Sequence, residues 1–395
     1  MKLLICLLAL ALQTAPAAAQ LLVPTTVTTP QDVTAYKALI AKADTALAMK
    51  PESVLNKTLT PASGDKHDFL SFGPYWWPDP AKPDGLPYIR RDGNRNPDMA
   101  RGSDSLALAR LGAAVETLGL AYRFSRDERY ATQAAALARV WFLDPATRMN
   151  PNFQHAQAIP GITTGRGIGL IEARWLININ EGLAMLGSSK AWTAQDRSAM
   201  KDWNAAFYTW LRTSKNGRDE EGEHNNHGSW YDAQAAHLAL VLGRSDDARA
   251  ILEQGLTRRL AAHIAPDGSQ PHELARTRSL DYSIFNLEAL LICAELADHV
   301  GLDWWRYATP DGRSLRGALA YLAPYADPAK PWPKKDLHEG DRSSLLPLLA
   351  RYLRHREDAS LRQILDANAA SSGKDSTYRL FGAGALAADA GASSR

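Results

Sequence analysis

Cysteine is nearly absent from this chain: among 395 residues only Cys6 and Cys293 carry a thiol. A disulfide framework and a cysteine-built zinc site are both excluded. An excess of one charge is lacking too, since 45 Lys and Arg against 43 Asp and Glu leave a net +2. Bulk electrostatics therefore give no ground for nucleic acid or membrane-surface binding. A polyanionic ligand would have to meet local clusters such as Arg90-Arg91, Arg258-Arg259, or Arg276 with Arg278. Beyond the N-terminus no apolar run is long enough to cross a bilayer. Segments with the alternation of strands are few.

What is present begins with an export signal. Met1-Lys2 is a basic start, Leu3 to Leu12 is apolar, and Ala17-Ala18-Ala19 precedes Gln20 as a cleavage site. We expect a signal peptide over residues 1–19 and a single domain over 20–395. A periplasmic or secreted location without stable membrane insertion follows. Cys6 leaves with the signal, and Cys293 sits in an apolar helical run where burial is expected.

The remainder reads as helix after helix. Ala35, Leu39, Ile40, Ala43 and Leu47 recur at helical spacing between about Pro30 and Met49. Residues 58–102 are rich in proline, which breaks regular elements. Their aromatics, from Phe69 to Trp77, argue against disorder and for a functional irregular segment. Helices are predicted over Ser103 to Phe124, Arg126 to Leu143, Ile168 to Leu186 and Thr193 to about Leu211. Others follow over His227 to Leu242, Ser245 to Ala262 and Ser279 to His299, with shorter ones to Ala369. Thr213 to Asn226 reads as a charged loop. The fold class is all-α, and a layered ring of paired helices, an (α/α) toroid, suits this length. A helical bundle or solenoid is the alternative.

Two clusters carry chemistry. In Glu223-His224-Asn225-Asn226-His227-Gly228-Ser229-Trp230-Tyr231, amides and an imidazole stand where a polar loop meets a helix. Amides and a helix N-terminus can hold an anion, and an imidazole can take a proton. Asn226 is placed to cap that helix, and its dipole would keep His227 neutral. The second cluster holds Arg276, Arg278 and Tyr282. Arg276 and Tyr282 are too far apart for one unbroken helix to align, so a bend near Ser279 is required to bring both to a cleft. The combination suits β-elimination on a uronic acid polymer. That reaction needs a neutralised carboxylate, a base for the adjacent proton and an acid for the leaving oxygen.

The blocks containing these clusters resemble the alginate lyase domain family. Lys66 to Pro80 (Lys-His-Asp-Phe-Leu-Ser-Phe-Gly-Pro-Tyr-Trp-Trp-Pro-Asp-Pro) is similar to its N-terminal signature. Met149-Asn150-Pro151-Asn152, Gln157 and Gly165-Arg166-Gly167-Ile168-Gly169 are similar to a second block. Asn225-Asn226-His227 and Arg276 to Tyr282 resemble the catalytic blocks. The resemblance spans roughly residues 50–300, in family order. It implies an incomplete (α/α) toroid of antiparallel helix pairs that cleaves uronate polymers without a metal or other cofactor. By position, Asn226 would neutralise the carboxylate and His227 would be the base. Arg276 would bind the carboxylate or steady the tyrosine. Tyr282 would be the acid and, for one substrate epimer, also the base. Tyr75, Trp76 and Trp77 would form a sugar-stacking wall. Asn152, Gln157, Arg166, Asn225 and Arg278 would contact the anionic polysaccharide. The best-known members carry Ser where Gly228 follows the histidine, and relatives act on glucuronan, so alginate, polymannuronate and glucuronan all stay open as substrates.

Other readings make distinct demands. A uronyl hydrolase needs two facing carboxylates, for which Asp79, Glu172, Asp232 and Glu273 are available. A polysaccharide-binding protein would keep the aromatics and arginines without using His227 or Tyr282. A zinc enzyme would use His224 and His227, but lacks an evident third ligand.

Overall fold

Helix starts in this chain are set largely by side-chain caps. In a computed structural model, described for residues 20–22, 32–334, 336–369 and 376–381, thirteen α-helices are present. They are α1 Val33–Leu47, α2 Ser105–Ser125, α3 Glu128–Ala138, α4 Trp175–Ala184, α5 Ala194–Thr213, α6 Lys215–Glu221 and α7 Asn226–Val241. Then come α8 Ser245–Gly255, α9 Pro271–Leu274, α10 Ser279–Asp298, α11 Leu315–Leu322, α12 Leu345–His355 and α13 Ala359–Asn368. Asp32, Asp127, Thr193, Ser214, Asn225, Ser314 and Asp358 each accept an otherwise orphaned N–H at a helix start. The expected signal peptide lies outside the described residues.

The helices form two layers. Helices α2, α4, α7, α10 and α12 pack each on the next and make the inner row. Outside it, α3 covers α2, α5 and α8 cover α7, α11 covers α10, and α13 covers α12. This is the ring of helical hairpins expected of an (α/α) toroid. The inner helices α7 and α10 are buried on nearly every face, as an all-round apolar or small-residue helix must be. Cys293 is fully buried in α10. Helices α2 and α4 meet at Gly119 and Gly182, where a Cβ on Gly119 would fall 2.3 Å from the Gly182 carbonyl oxygen. Only glycine permits that approach. No described helix is long and apolar enough to cross a membrane.

Three expected boundaries shift. The segment from Thr213 to Asn226 is not all loop but contains α6, whose buried face is Asn216, Gly217 and Glu220. A face so polar leaves no apolar periodicity to read. The helix expected from Ile168 begins as a 3-10 segment, Gly167–Arg174, and the one from Ser245 closes in a π turn, Leu256–Ala261.

The proline-rich segment is ordered by four short strands, β1 Leu70–Phe72, β2 Trp76–Trp77, β3 Ile89–Arg90 and β4 His155–Ala158. Strand β1 runs parallel to β4, and β2 antiparallel to β3. A buried ion pair, Lys57 to Asp104 at 3.1 Å, fastens the segment to the start of α2. Asp104 also accepts the Leu70 N–H at 2.8 Å. The aromatic segment is thereby held over the ends of the inner helices.

Candidate active site

A cleft of about 760 Å³ opens where the aromatic segment, the 3-10 segment Gly167–Arg174 and the starts of α7 and α10 meet. Asn226, His227, Arg276 and Tyr282 all line it. So do Tyr75, Trp76, Gln157, Arg166, Asn225 and Arg278. Two residues expected there do not. Successive strand residues point to opposite faces, so Trp76 faces the cleft while Trp77 turns away to donate to the Asn94 carbonyl at 3.0 Å. The Asn152 amide donates to Asp68 at 3.0 Å and fastens its own loop instead of facing the cleft.

His227 stands in the first turn of α7. Asn225, not Asn226, is the cap, accepting the His227 N–H at 2.9 Å. The imidazole Nδ1 lies 2.8 Å from Glu220, a fully buried carboxylate on α6. With Nδ1–H donated to that carboxylate, the lone pair of Nε2 is free to accept a proton. Burial pushes the imidazolium down, but the Glu220 charge and hydrogen bond outweigh it and hold His227 above its ordinary value. The expectation that the helix dipole keeps His227 neutral is corrected: the adjacent Glu220 carboxylate dominates at this range. The α7 terminus is also already engaged, because Glu273 accepts the Asn226 N–H and side-chain amide, each at 2.7 Å.

Tyr282 lies in the first turn of α10. The chain breaks between α9 and α10, and this break lets Arg276 fold back over the phenol, its Cζ 3.9 Å from the ring centroid. Arg276 is anchored by Asp92 at 3.0 Å, and Thr277 donates to the same carboxylate at 2.9 Å. Of the two parts open to Arg276, this geometry suits steadying the tyrosine. The Tyr282 hydroxyl lies 2.6 Å from the Tyr75 hydroxyl. Burial, then Tyr75, raise the Tyr282 pKa far above neutrality, so the phenol carries its proton and can give it up as an acid.

Arg166 follows a different pattern. Its Nη2 donates to the Gln157 side chain at 2.9 Å and its Nε to the Gln157 carbonyl at 3.1 Å. Gln157 holds the left-handed conformation, φ 47°, that this double contact accompanies. Among the described residues no carboxylate pairs with Arg166, whereas Arg90 and Arg276 share Asp92 and Arg278 takes Asp281. Burial, with Arg90 nearby, pushes its guanidinium down to about 10. A buried cation without a counter-ion favours an anionic ligand.

Gly228 answers the departure from the usual serine. A Cβ there would fall 2.1 Å from the Glu223 carbonyl oxygen and 2.3 Å from Arg259 Nη1. Arg259 fills that space: it is 2% exposed and binds Asp232 at 2.9 Å. It also donates to the carbonyls of Glu223 at 2.7 Å and Glu221 at 2.6 Å. The turn leading into His227 therefore hangs on one guanidinium.

The sequence reading missed Glu220, Asp92 and the part of Glu273. Glu220 was one of four acids between 219 and 223, and only knowledge of α6 singles it out. The carboxylate pair of a hydrolase is not formed from the candidates named for it. Asp232 is held by Arg258 and Arg259, Glu273 by Asn226, Glu172 by Ser71, and Asp79 by the Ala81 N–H. None of these four lines the cleft. His224 turns from His227 to pack edge-on against His272, at 4.8 Å, in a neighbouring pocket.

The geometry agrees with the comparisons. The family model for alginate lyase matches residues 53–332. An alginate lyase structure from Bacteroides ovatus is 41% identical, covering 89% of this chain and 93% of that one, with a TM-score of 0.83. Alginate lyase A1-III from Sphingomonas species A1 is 17% identical over 85% of this chain and 91% of its own, with a TM-score of 0.52. At that identity the likeness is one of fold. A search of curated proteins returns no significant match. A cleft that joins the two sequence clusters, a shared toroid and a match over most of the chain lead to one conclusion: the protein belongs to the alginate lyase family of polysaccharide lyases.

Proposed function

We propose that the protein cleaves a uronate-containing polysaccharide, alginate or polymannuronate or else glucuronan, by β-elimination in the periplasm or outside the cell. The observation that carries this reading is the pairing, in one cleft, of an imidazole braced at Nδ1 with a protonated phenol under a guanidinium. The substrate carboxylate lies against Arg166 and the one Asn226 amide hydrogen that Glu273 does not take, which draw charge from the adjacent carbon. His227 Nε2 takes the proton from that carbon. The electron pair forms the new double bond as the glycosidic carbon–oxygen bond breaks, and Tyr282 protonates the departing oxygen. For the epimer whose proton faces the other side, Tyr282 takes both parts as phenolate: its hydroxyl proton first leaves to solvent, the phenolate beside Arg276 takes the ring proton, and that proton passes to the departing oxygen. Tyr75 and Trp76, each near an arginine (Arg95 at 5.9 Å and Arg166 at 5.8 Å from the ring centroids), offer faces to the sugar rings. The export signal read over residues 1–19 supports the location.

The test is to incubate the protein with alginate, polymannuronate and polyglucuronate and follow ultraviolet absorbance. Unsaturated uronate ends absorb and hydrolytic ends do not. New reducing ends without absorbance would overturn the elimination chemistry.

A pH dependence follows from the Glu220 contact. A base works when unprotonated, so activity climbs as pH rises through the His227 pKa, and that limb lies above the ordinary value of about 6.5. Glu220→Gln removes the largest influence that raises the pKa, leaving burial, which lowers it, against the weaker pull of Glu223 and Glu273. The acidic limb of kcat/KM then moves to lower pH, and the plateau falls on the order of 10²-fold as the ring loses its brace. A pH–rate profile of both proteins checks this, and an unmoved limb refutes it.

A further inference from the structure

Helix α10, which carries Tyr282, begins without a cap of its own. Its N-cap position is Arg278, and a guanidinium has no acceptor to offer the first-turn N–H groups. They are met from 57 positions downstream. Asp336, on the segment between α11 and α12, accepts the Ser279 N–H at 2.9 Å, the Ser279 hydroxyl at 2.6 Å and the Leu280 N–H at 3.0 Å. A carboxylate at that end of a helix is also favoured by the helix dipole. The Trp332 indole donates to the same hydroxyl at 2.9 Å, and the Leu337 N–H donates to the Thr277 carbonyl at 2.9 Å. The aromatic segment closes on these residues from the other side. A Cβ on Gly93 would fall 2.4 Å from Thr277 Oγ1 and 2.8 Å from Leu337 Cδ1, so three stretches of chain meet there.

All of these contacts fall on the break between α9 and α10. Arg276 lies before the break and Tyr282 after it. The angle of the break therefore sets where the guanidinium covers the ring and where the phenol meets Tyr75. Asp336 does not itself line the cleft. It also lies beyond residues 53–332, which the family model matches, so no family block points to it. We propose that Asp336 is a positioning residue for the reaction: by capping α10 from a distant segment, it fixes the break that brings the Tyr282 hydroxyl to the departing oxygen. This rests on the reading of Tyr282 as the acid.

A double-mutant cycle in steady-state kinetics tests it, on whichever of alginate, polymannuronate and polyglucuronate the parent protein cuts fastest. We expect Asp336→Ala to lower kcat by about 10- to 100-fold with KM held within about twofold, because the residue reaches no substrate. Asp336→Asn, whose amide oxygen still accepts an N–H, should recover most of the loss. Added to Tyr282→Phe, Asp336→Ala should cost less than about twofold more, since the hydroxyl it positions is already gone. A residue that only stabilises the fold would take the same factor from both backgrounds. Such an equal loss, an unchanged kcat, a rise in KM alone, or asparagine no better than alanine would each overturn the assignment. Circular dichroism on each variant shows whether the fold is kept. If Asp336→Ala does not fold, Trp332→Phe goes through the same cycle and is read the same way. It keeps a ring against Tyr325 and removes the bond to Ser279. An absence of elimination product from the parent protein would bring down the lyase reading and this assignment with it, a result distinct from all of those above.

Discussion

Tyr282→Phe is expected to cut kcat by on the order of 10³- to 10⁴-fold with the fold intact. The phenyl ring keeps the stacking surface under Arg276, at 3.9 Å, and the same place in α10. What goes is the hydroxyl, with its proton and its 2.6 Å contact to Tyr75. A general acid is commonly worth 10²- to 10⁴-fold, and an alkoxide leaving without one sits at the upper end. His227→Ala should cost as much on the epimer that needs the imidazole. It also leaves Glu220, with no side-chain exposure, lacking its partner. On the opposite epimer, where Tyr282 acts as both base and acid, His227→Ala should cost far less. Initial rates on polymannuronate, polyguluronate and polyglucuronate separate these cases, with circular dichroism as the control. Full activity in both variants would remove the proposed acid and base together.

The largest structural loss is expected from Arg259→Met. Methionine fills similar volume but satisfies none of the partners. Asp232, fully buried, would retain only Arg258, at 2.9 Å. The carbonyls of Glu221 and Glu223 would lose their donor altogether. Breaking one side of a buried ion pair costs about 3–5 kcal/mol. Because those carbonyls belong to the turn that delivers Asn225 and His227, the variant should also lose activity below its unfolding midpoint. Urea unfolding followed in parallel by circular dichroism and by residual turnover checks both parts. A midpoint like that of the parent chain would show that the guanidinium does not hold this turn.

These expectations also mark how far the residues alone could be read. Helix content and both clusters that meet in the cleft were legible, because each depends on neighbours in the chain; the layered ring came from the family resemblance, since the helices alone left a bundle or solenoid open. A capping box at Thr193 and Asp196 announces α5 locally, and the structure contains it. What was not legible is partner choice. Glu220 reaches His227 only because α6 is a helix, and α6 shows no apolar period. Asp92 meets Arg276 across 184 positions, and no local pattern selects it from other acids. Trp77 was misplaced because β2 is only two residues long, too short for its alternation to show. The arginines were hardest. Their type marks a likeness for anions, but only their surroundings separate Arg278, which already holds Asp281, from Arg166, which holds no acid.

The hydroxyl contact between Tyr75 and Tyr282 joins residues 207 positions apart. Loop closure over such a distance comes late, after local helices have formed. A chain emerging from denaturant should therefore regain its helical signal before it gains any capacity to cut polymer. Catalytic competence in this toroid is a property of the finished ring, and no half of it alone carries the reaction.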